Sequence, residues 1–375
     1  MRNTAKAYIA GIGMITPVGG NAEMTAAAVK AGISGYQISD YRTRSCKPIT
    51  LATVPDEALP KICDALNTSE VLSEQMGRML MMAHVALAQT MDCYPADEPL
   101  PLILCGPTAD EELPVPFSHK FFDLLMTQTG VKLDRPNCRL IGMGRAGVMA
   151  GIDVALKYLA EGHDYILVGG VDSYRNYDLL LKLSEQDRLL AEGVMNGFAP
   201  GEAACFLLLT GKATLAKAFN GANLLLSTPG LAQEKGHLNS AIPYTGDGLA
   251  AAFRSALNNH GEAPISCVYS SMNGEHFWAK EYGVAMLRNK QSMQEDVTHE
   301  HPMDAFGDLG AASGAVLVAL AGLSLAQAGK PATNLVYCSS DSAQRGAICI
   351  SQATAVSPPP QSSAPQNHRN TGVTS

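Results

Sequence analysis

The chain has 375 residues, 46% of them hydrophobic and only 17% charged, with 35 glycines and a formal net charge of −8. That balance favours a compact, glycine-punctuated α/β protein over a disordered chain. An acidic sequence without a Lys/Arg-rich block is poorly built to hold nucleic acid. No stretch is read as reaching the roughly 18 apolar residues of a spanning helix, so no membrane insertion and a cytoplasmic location are expected. The nine cysteines are odd in number and form no CxxC pair. They read as packed thiols in a reducing compartment, without disulfides.

Residues 7–13 (AYIAGIG) read as a buried strand that turns into a helix from about Ala22. The Gly11-x-Gly13 pair lacks the third glycine of a dinucleotide fingerprint, with Thr16 in its place, so no nucleotide cofactor is expected. A strand over 49–54 precedes a long helix over 68–91, for which Ser69 offers an N-cap. A strand over 100–105, an acidic loop at Asp110, Glu111 and Glu112, and a helix over 117–129 follow.

The segment NCRLIGMGRAGVMAGIDVALKYLAEGHDYIL then reads as buried strand, Gly-rich turn, long helix and strand. Its turn carries Arg145 at the helix start, where unpaired N–H groups and the helix dipole make a natural mount for a reactive group. Small residues behind it (Ala146, Gly147, Ala150, Gly151) allow close helix packing. SEQDRLL reads as loop, and NGFAPGEAACFLLLT as a turn into a buried strand. A second strand–helix block follows: strands over 223–227, 266–271, 334–338 and 347–351, and helices over 248–258, 275–289 and 309–328. Such alternation implies parallel or mixed sheets covered on both faces. It suggests two similar halves, 1–215 and 216–355, before a Pro/Ser-rich tail over 356–375 that reads as disordered.

YIAGIGMITPVGG, the AGVMAGIDVALKYLAEGHDYILVGGVDS helix and strand, NGFAPGEAACFLLL and DAFGDLGAASGAV together resemble the β-ketoacyl synthases of the thiolase superfamily, in order over about residues 5–351. The resemblance implies an α/β/α/β/α sandwich of two duplicated halves with mixed five-stranded sheets. It also implies a homodimer, or a heterodimer with another thiolase-fold subunit. In that family a Cys at the helix start attacks an acyl thioester and two His residues assist. Here the nucleophile position is Arg145, the two histidine positions are Asn273 and Asp308, the lysine before the second is Met303, and the glycine turn of the gating Phe reads SSDSAQRGA around Ser342.

An arginine is a permanent cation and no nucleophile. Cys138 and Cys205 lie in apolar surroundings and read as packed thiols. His276 and the His299/His301 pair offer too few ligands for a metal. Glu275 and Glu281 could form an acid/base pair or serve as helix-start carboxylates. If the family's pocket persists, Arg145, Asn273 and Asp308 converge, and Arg145 pairs with Asp308 or Glu275. The alternative is an anion, such as a pantetheine phosphate, held by Arg145.

Three functional classes follow: a non-catalytic scaffold or adaptor, in one form serving a secreted effector; a chain-length-factor-like partner of an active ketosynthase working with acyl carrier protein; or an acyltransferase or hydrolase using Glu275, His276 and Asp308.

Overall fold

A computed structural model describes residues 5–67, 72–108, 117–328 and 331–354. Ser69, the acidic loop and the Pro/Ser tail lie outside the described residues.

The first half contains β1 (Ala7–Ile15), α1 (Ala22–Lys30), β2 (Tyr36–Arg42), β3 (Pro48–Ala52), α2 (Asp64–Asn67), α3 (Glu74–Met91), β4 (Leu102–Cys105), α4 (Lys120–Thr129), β5 (Arg139–Ile141), α5 (Gly147–Ala160), β6 (Ile166–Ser173), α6 (Tyr177–Glu185) and β7 (Glu202–Thr210). The second contains β8 (Ala218–Phe219), β9 (Ala222–Leu226), β10 (Gly230–Gln233), α7 (Asp247–His260), β11 (Ile265–Ser270), α8 (His276–Arg288), β12 (Met293–Glu300), α9 (Met303–Phe306), α10 (Ser313–Gln327), β13 (Thr333–Ser339) and β14 (Gln344–Thr354).

The two halves repeat one topology. Strand order is β5-β4-β6-β7-β1 in the first and β12-β11-β13-β14-β9 in the second. In each, the first three strands run parallel and the next two pairings are antiparallel. The sheets join edge to edge where Ala7 pairs with Leu226 and Tyr8 with Leu225, so with β8 and β10 they form one 12-stranded sheet. Helices α3 and α4 cover the first sheet, α7 and α8 the second, and α5 with α10 fill the layer between. This is the five-layer thiolase-like arrangement.

Close packing explains several glycines. A Cβ on Gly13 would stand 1.9 Å from the Ala86 carbonyl oxygen of α3. The Gly11-x-Gly13 pair therefore serves helix-on-strand contact. A Cβ on Gly314 would meet that of Val148 at 2.8 Å, where α10 crosses the start of α5.

Some sequence expectations are corrected. Helix α3 starts at Glu74, and its Ser73 side chain accepts from Met76 N–H. Strand β5 is a three-residue, half-exposed edge rather than a buried strand. Part of the SEQDRLL loop belongs to α6, whose Asn176 caps Leu179 N–H. Strands β2 and β12 have too many exposed polar residues to show a buried-strand pattern. The 18-residue stretch Gly310–Gln327 does reach membrane-spanning length and apolarity, with mean hydropathy 1.6, but 89% of it is buried inside the protein. It is a core helix, apolar all round because both sheets surround it.

Candidate functional site: a buried ion network at the helix start

The turn after β5 places Arg145. Gly144 sits at φ +58°, where a Cβ would approach the Thr108 hydroxyl oxygen to 2.7 Å, so glycine suits this corner. One short turn, Gly144–Ala146, leads into α5. The second half repeats the device: Gly310 at φ +52° opens the turn Gly310–Ala312 that leads into α10. Each half caps the other's helix. The Ser340 hydroxyl, beyond β13, accepts Ala146 N–H at 3.0 Å, and the Asp172 carboxylate, on β6, accepts Ala311 N–H at 2.8 Å.

Arg145 is 3% exposed, and each of its guanidinium nitrogens is engaged by the protein. Nε donates to the Ser339 carbonyl at 2.7 Å, Nη1 to Asp308 Oδ2 at 2.5 Å, and Nη2 to Asp341. The guanidinium carbon lies 4.7 Å from the centre of the Trp278 ring, a cation–π contact in a dry setting. The expected meeting of Arg145, Asn273 and Asp308 is present: Asn273 Nδ2 donates to Asp308 Oδ2 at 2.9 Å. All three guanidinium nitrogens already face protein acceptors in a buried setting, which favours the ion pair over the anion-binding alternative.

Asp308 is completely buried and pinned through its backbone. Its N–H donates to Ala199 O and its C=O accepts from Gly201, both at 2.8 Å, and its Oδ1 accepts Gly310 N–H at 2.9 Å. The APG turn and the FGDLG turn thus hold each other. Cβ atoms on Gly201 or Gly307 would lie 2.4 Å from the facing backbone oxygens.

Two residues that the motif comparison missed complete the network. Arg188, between α6 and β7, forks onto Glu275 at 2.7 and 2.9 Å and reaches Asp341 at 2.7 Å. Asp341 lies in the SSDSAQRGA turn. Burial opposes its charge, but Arg145 and Arg188 overcome that and hold the carboxyl well below the usual range. The signal was present in the sequence: a carboxylate in the SSDSAQRGA turn, and an arginine beside the two leucines of RLL. Both cations, Arg145 and Arg188, come from the first half. All three anions, Glu275, Asp308 and Asp341, come from the second.

The second-line candidates separate. Glu275, 4% exposed, stands at the N-cap position of α8, and its carboxylate accepts from Trp278 Nε1 at 3.0 Å and Asn273 at 3.1 Å instead of from the helix backbone. Glu281 pairs instead with Arg345 at 2.6 Å and accepts the Ser339 hydroxyl at 2.5 Å. Burial pushes the Glu281 carboxyl up, with Arg345 and Ser339 opposing. Each glutamate belongs to its own arginine, so they are no acid/base pair. The His276 side chain is exposed, and its backbone N–H donates to Asn196 at 2.8 Å. His299 and His301 bond through Nδ1 to the Tyr282 and Ser270 hydroxyls. Among the described residues, no three His, Cys, Asp or Glu side chains gather as a metal site.

Cys138 bonds to Leu102 N–H and Cys205 is fully buried in β7; burial raises both thiols. Met303 is buried at the start of α9 and contributes its carbonyl to Tyr36 at 2.9 Å. A cavity of about 620 Å³ lies elsewhere, between Asp56–Leu66 and the first turns of α3, and shares no residue with the network.

No protein-family model matches the sequence, and no curated protein matches it either. Solved structures do. A chain of the ishigamide ketosynthase/chain length factor is 17% identical, with a TM-score of 0.70 over 92% of this chain and 99% of that one. A chain from a ketosynthase in complex with its chain length factor, from Xenorhabdus doucetiae, gives TM-score 0.75 at 17% identity, covering 93% and 98%. A ketosynthase from module 6 of the bacillaene synthase of Bacillus subtilis 168 gives 0.73 at 15% identity, covering 93% of this chain but 72% of that one. The class is therefore the ketosynthase-like thiolase fold, present over nearly the whole chain.

Proposed function

We propose that this chain is a catalytically silent thiolase-fold subunit that pairs with an active ketosynthase, as a chain length factor does. The observation that carries the reading is Arg145, seated on the nucleophile mount and tied to Asp308 and Asp341. A guanidinium so held can neither attack a thioester nor make room for an acyl group. Of the two residues where the resemblance expects histidines, Asp308 holds that arginine and Asn273 holds Asp308.

The neighbours support the partner-subunit class. Two come from ketosynthase/chain length factor structures and are matched over almost their full length, and another is a type II polyketide acyl carrier protein in complex with its ketosynthase. The adaptor for a secreted effector gains no support from these neighbours. The acyltransferase or hydrolase class loses the convergence of Glu275, His276 and Asp308, because His276 points to solvent.

Affinity purification of the tagged chain from its own cells tests the proposal. Recovery of a thiolase-fold synthase is expected, with acyl carrier protein, and the isolated chain should turn over neither malonyl nor acyl thioesters. Turnover by the isolated chain, or recovery of a secretion substrate without any synthase, overturns the reading.

A further inference from the structure

The start of α10 receives two carboxylates on successive backbone N–H groups. Gly310 N–H donates to Asp308 Oδ1 at 2.9 Å and Ala311 N–H to Asp172 Oδ2 at 2.8 Å. Gly310 has no room for a side chain, since a Cβ there would lie 2.1 Å from Asp172 Oδ2. The two acids are not equally provided for. Asp308 has the Arg145 guanidinium and the Asn273 amide on its other oxygen. Asp172, 6% exposed, has only the N–H groups of Ala311 and of its neighbour Ser173, the latter at 2.9 Å, and makes no ion pair among the described residues.

The surroundings are already unbalanced. Arg145 and Arg188 face Asp308, Asp341 and Glu275, so an ionised Asp172 would be a fourth anion beside two cations. The titratable and charged groups around it are Asp308 after α9, Arg145 before α5, and Tyr174 on its own strand end. Ser173 beside it is committed to Glu202 through its hydroxyl at 2.6 Å. At the corresponding cap on α5, the second half uses a neutral hydroxyl, Ser340.

We propose that Asp172 is a proton-taking carboxyl at the junction of the halves: protonation removes a buried charge that no cation offsets and so stabilises the fold, while the neutral acid is the weaker acceptor for the Ala311 N–H. The inference is independent of the partner reading. Two carboxylates that share one helix start cannot both ionise cheaply, and the one without a cation yields. Burial is the main cause and Asp308 adds to it, against the two backbone N–H groups and Arg145, so the carboxyl is pushed up to about 7. The ordinary value is 3.8. A carboxyl raised on folding contributes stability below its unfolded value and loses it as pH rises through the folded one. Between the two, one linked proton changes the folding constant by about tenfold per pH unit.

Carbon-13 NMR of the full chain labelled at aspartate carboxyls reads this directly. One carboxyl should titrate near neutrality in the wild type and vanish in Asp172→Asn. Equilibrium unfolding from pH 5 to 8 gives the second readout: relative to Asp172→Asn, the wild-type folding constant should fall with rising pH. Wild-type spectra with every aspartate ionised at pH 6, or a folded Asp172→Asn protein with the wild-type pH slope, overturn the proposal. The wild-type titration decides the matter even if the variant does not fold.

Discussion

Arg145 and Asp308 belong to opposite halves of a duplicated fold and meet at 2.5 Å in its interior, at 4% and 0% side-chain exposure. Taking two charges out of water costs several kcal/mol each, and the pair is tolerable because the remaining donors and acceptors are filled. Ser339, Asp341 and Trp278 complete Arg145, and Asn273 and Gly310 complete Asp308.

Removing either partner should therefore leave the other charge buried and poorly paired. Arg145→Ala strands Asp308 and is expected to cost about 3–5 kcal/mol in denaturant unfolding. The double variant Arg145→Ala/Asp308→Ala should cost less than the sum of the singles, with a coupling of about 0.5–3 kcal/mol. Strict additivity would mean that the pair does not act as a unit.

Placing a cysteine at this helix start should not confer condensing chemistry. Under the proposed reading, Arg145→Cys puts a thiol at the helix start but leaves Asn273 and Asp308 in the places that an active synthase gives to histidines. Malonyl thioester decarboxylation by this variant should stay at the level of a heat-denatured control. Measurable turnover would overturn the reading of a catalytically silent subunit.

Trp278 is the chain's single tryptophan, with Arg145 at 4.7 Å and Arg345 at 5.7 Å from its ring centre. Its emission should report on the network alone. Glu275→Gln removes the charged acceptor of the indole N–H and of Arg188, and should shift the native emission while far-UV circular dichroism stays unchanged. An unchanged emission would place the indole in a different environment.

Acid should loosen the network through Asp341. Its carboxyl is depressed on folding, so its contribution is present above about pH 4 and is lost as pH falls further. Asp341→Asn should be less stable than wild type at pH 7, with the gap narrowing steadily toward about pH 2 in unfolding titrations. A pH-independent gap would assign the loss to packing.

Two glycines on helical segments should respond with opposite signs. Gly310→Ala forces a side chain into φ +52° and onto Asp172, and should destabilise by more than about 1 kcal/mol. Gly77, inside α3, has nothing within 4 Å of a Cβ, so Gly77→Ala should stabilise by about 0.4–1 kcal/mol. Thermal unfolding of both variants checks the pair.

Most strands and helices were legible because burial leaves a periodic trace. LLLT in β7 and LVGG in β6 are continuous apolar runs between covered faces, and α10 shows the small and apolar residues of a core helix. Strands β2 and β12 were not legible, because exposed strands keep polar side chains that look like loop. That Glu275 and Glu281 pair with different arginines was hidden for a related reason. Spacing along a helix start says nothing about which distant arginine each carboxylate will meet.

The sequence by itself determined the repeated strand–helix order and the glycine turn that sets a permanent cation, Arg145, at a helix start. Those follow from local chemistry: periodicity, glycine turns and the identity of one side chain. Only the tertiary structure decided that Arg145 faces inward, that Arg188 and Asp341 join it, and that each half caps the other's helix. These contacts link residues 194, 196 and 153 positions apart (Ala146–Ser340, Arg145–Asp341, Arg188–Asp341). Their partners are chosen by how two sheets pack around one shared layer of helices, which no local pattern records.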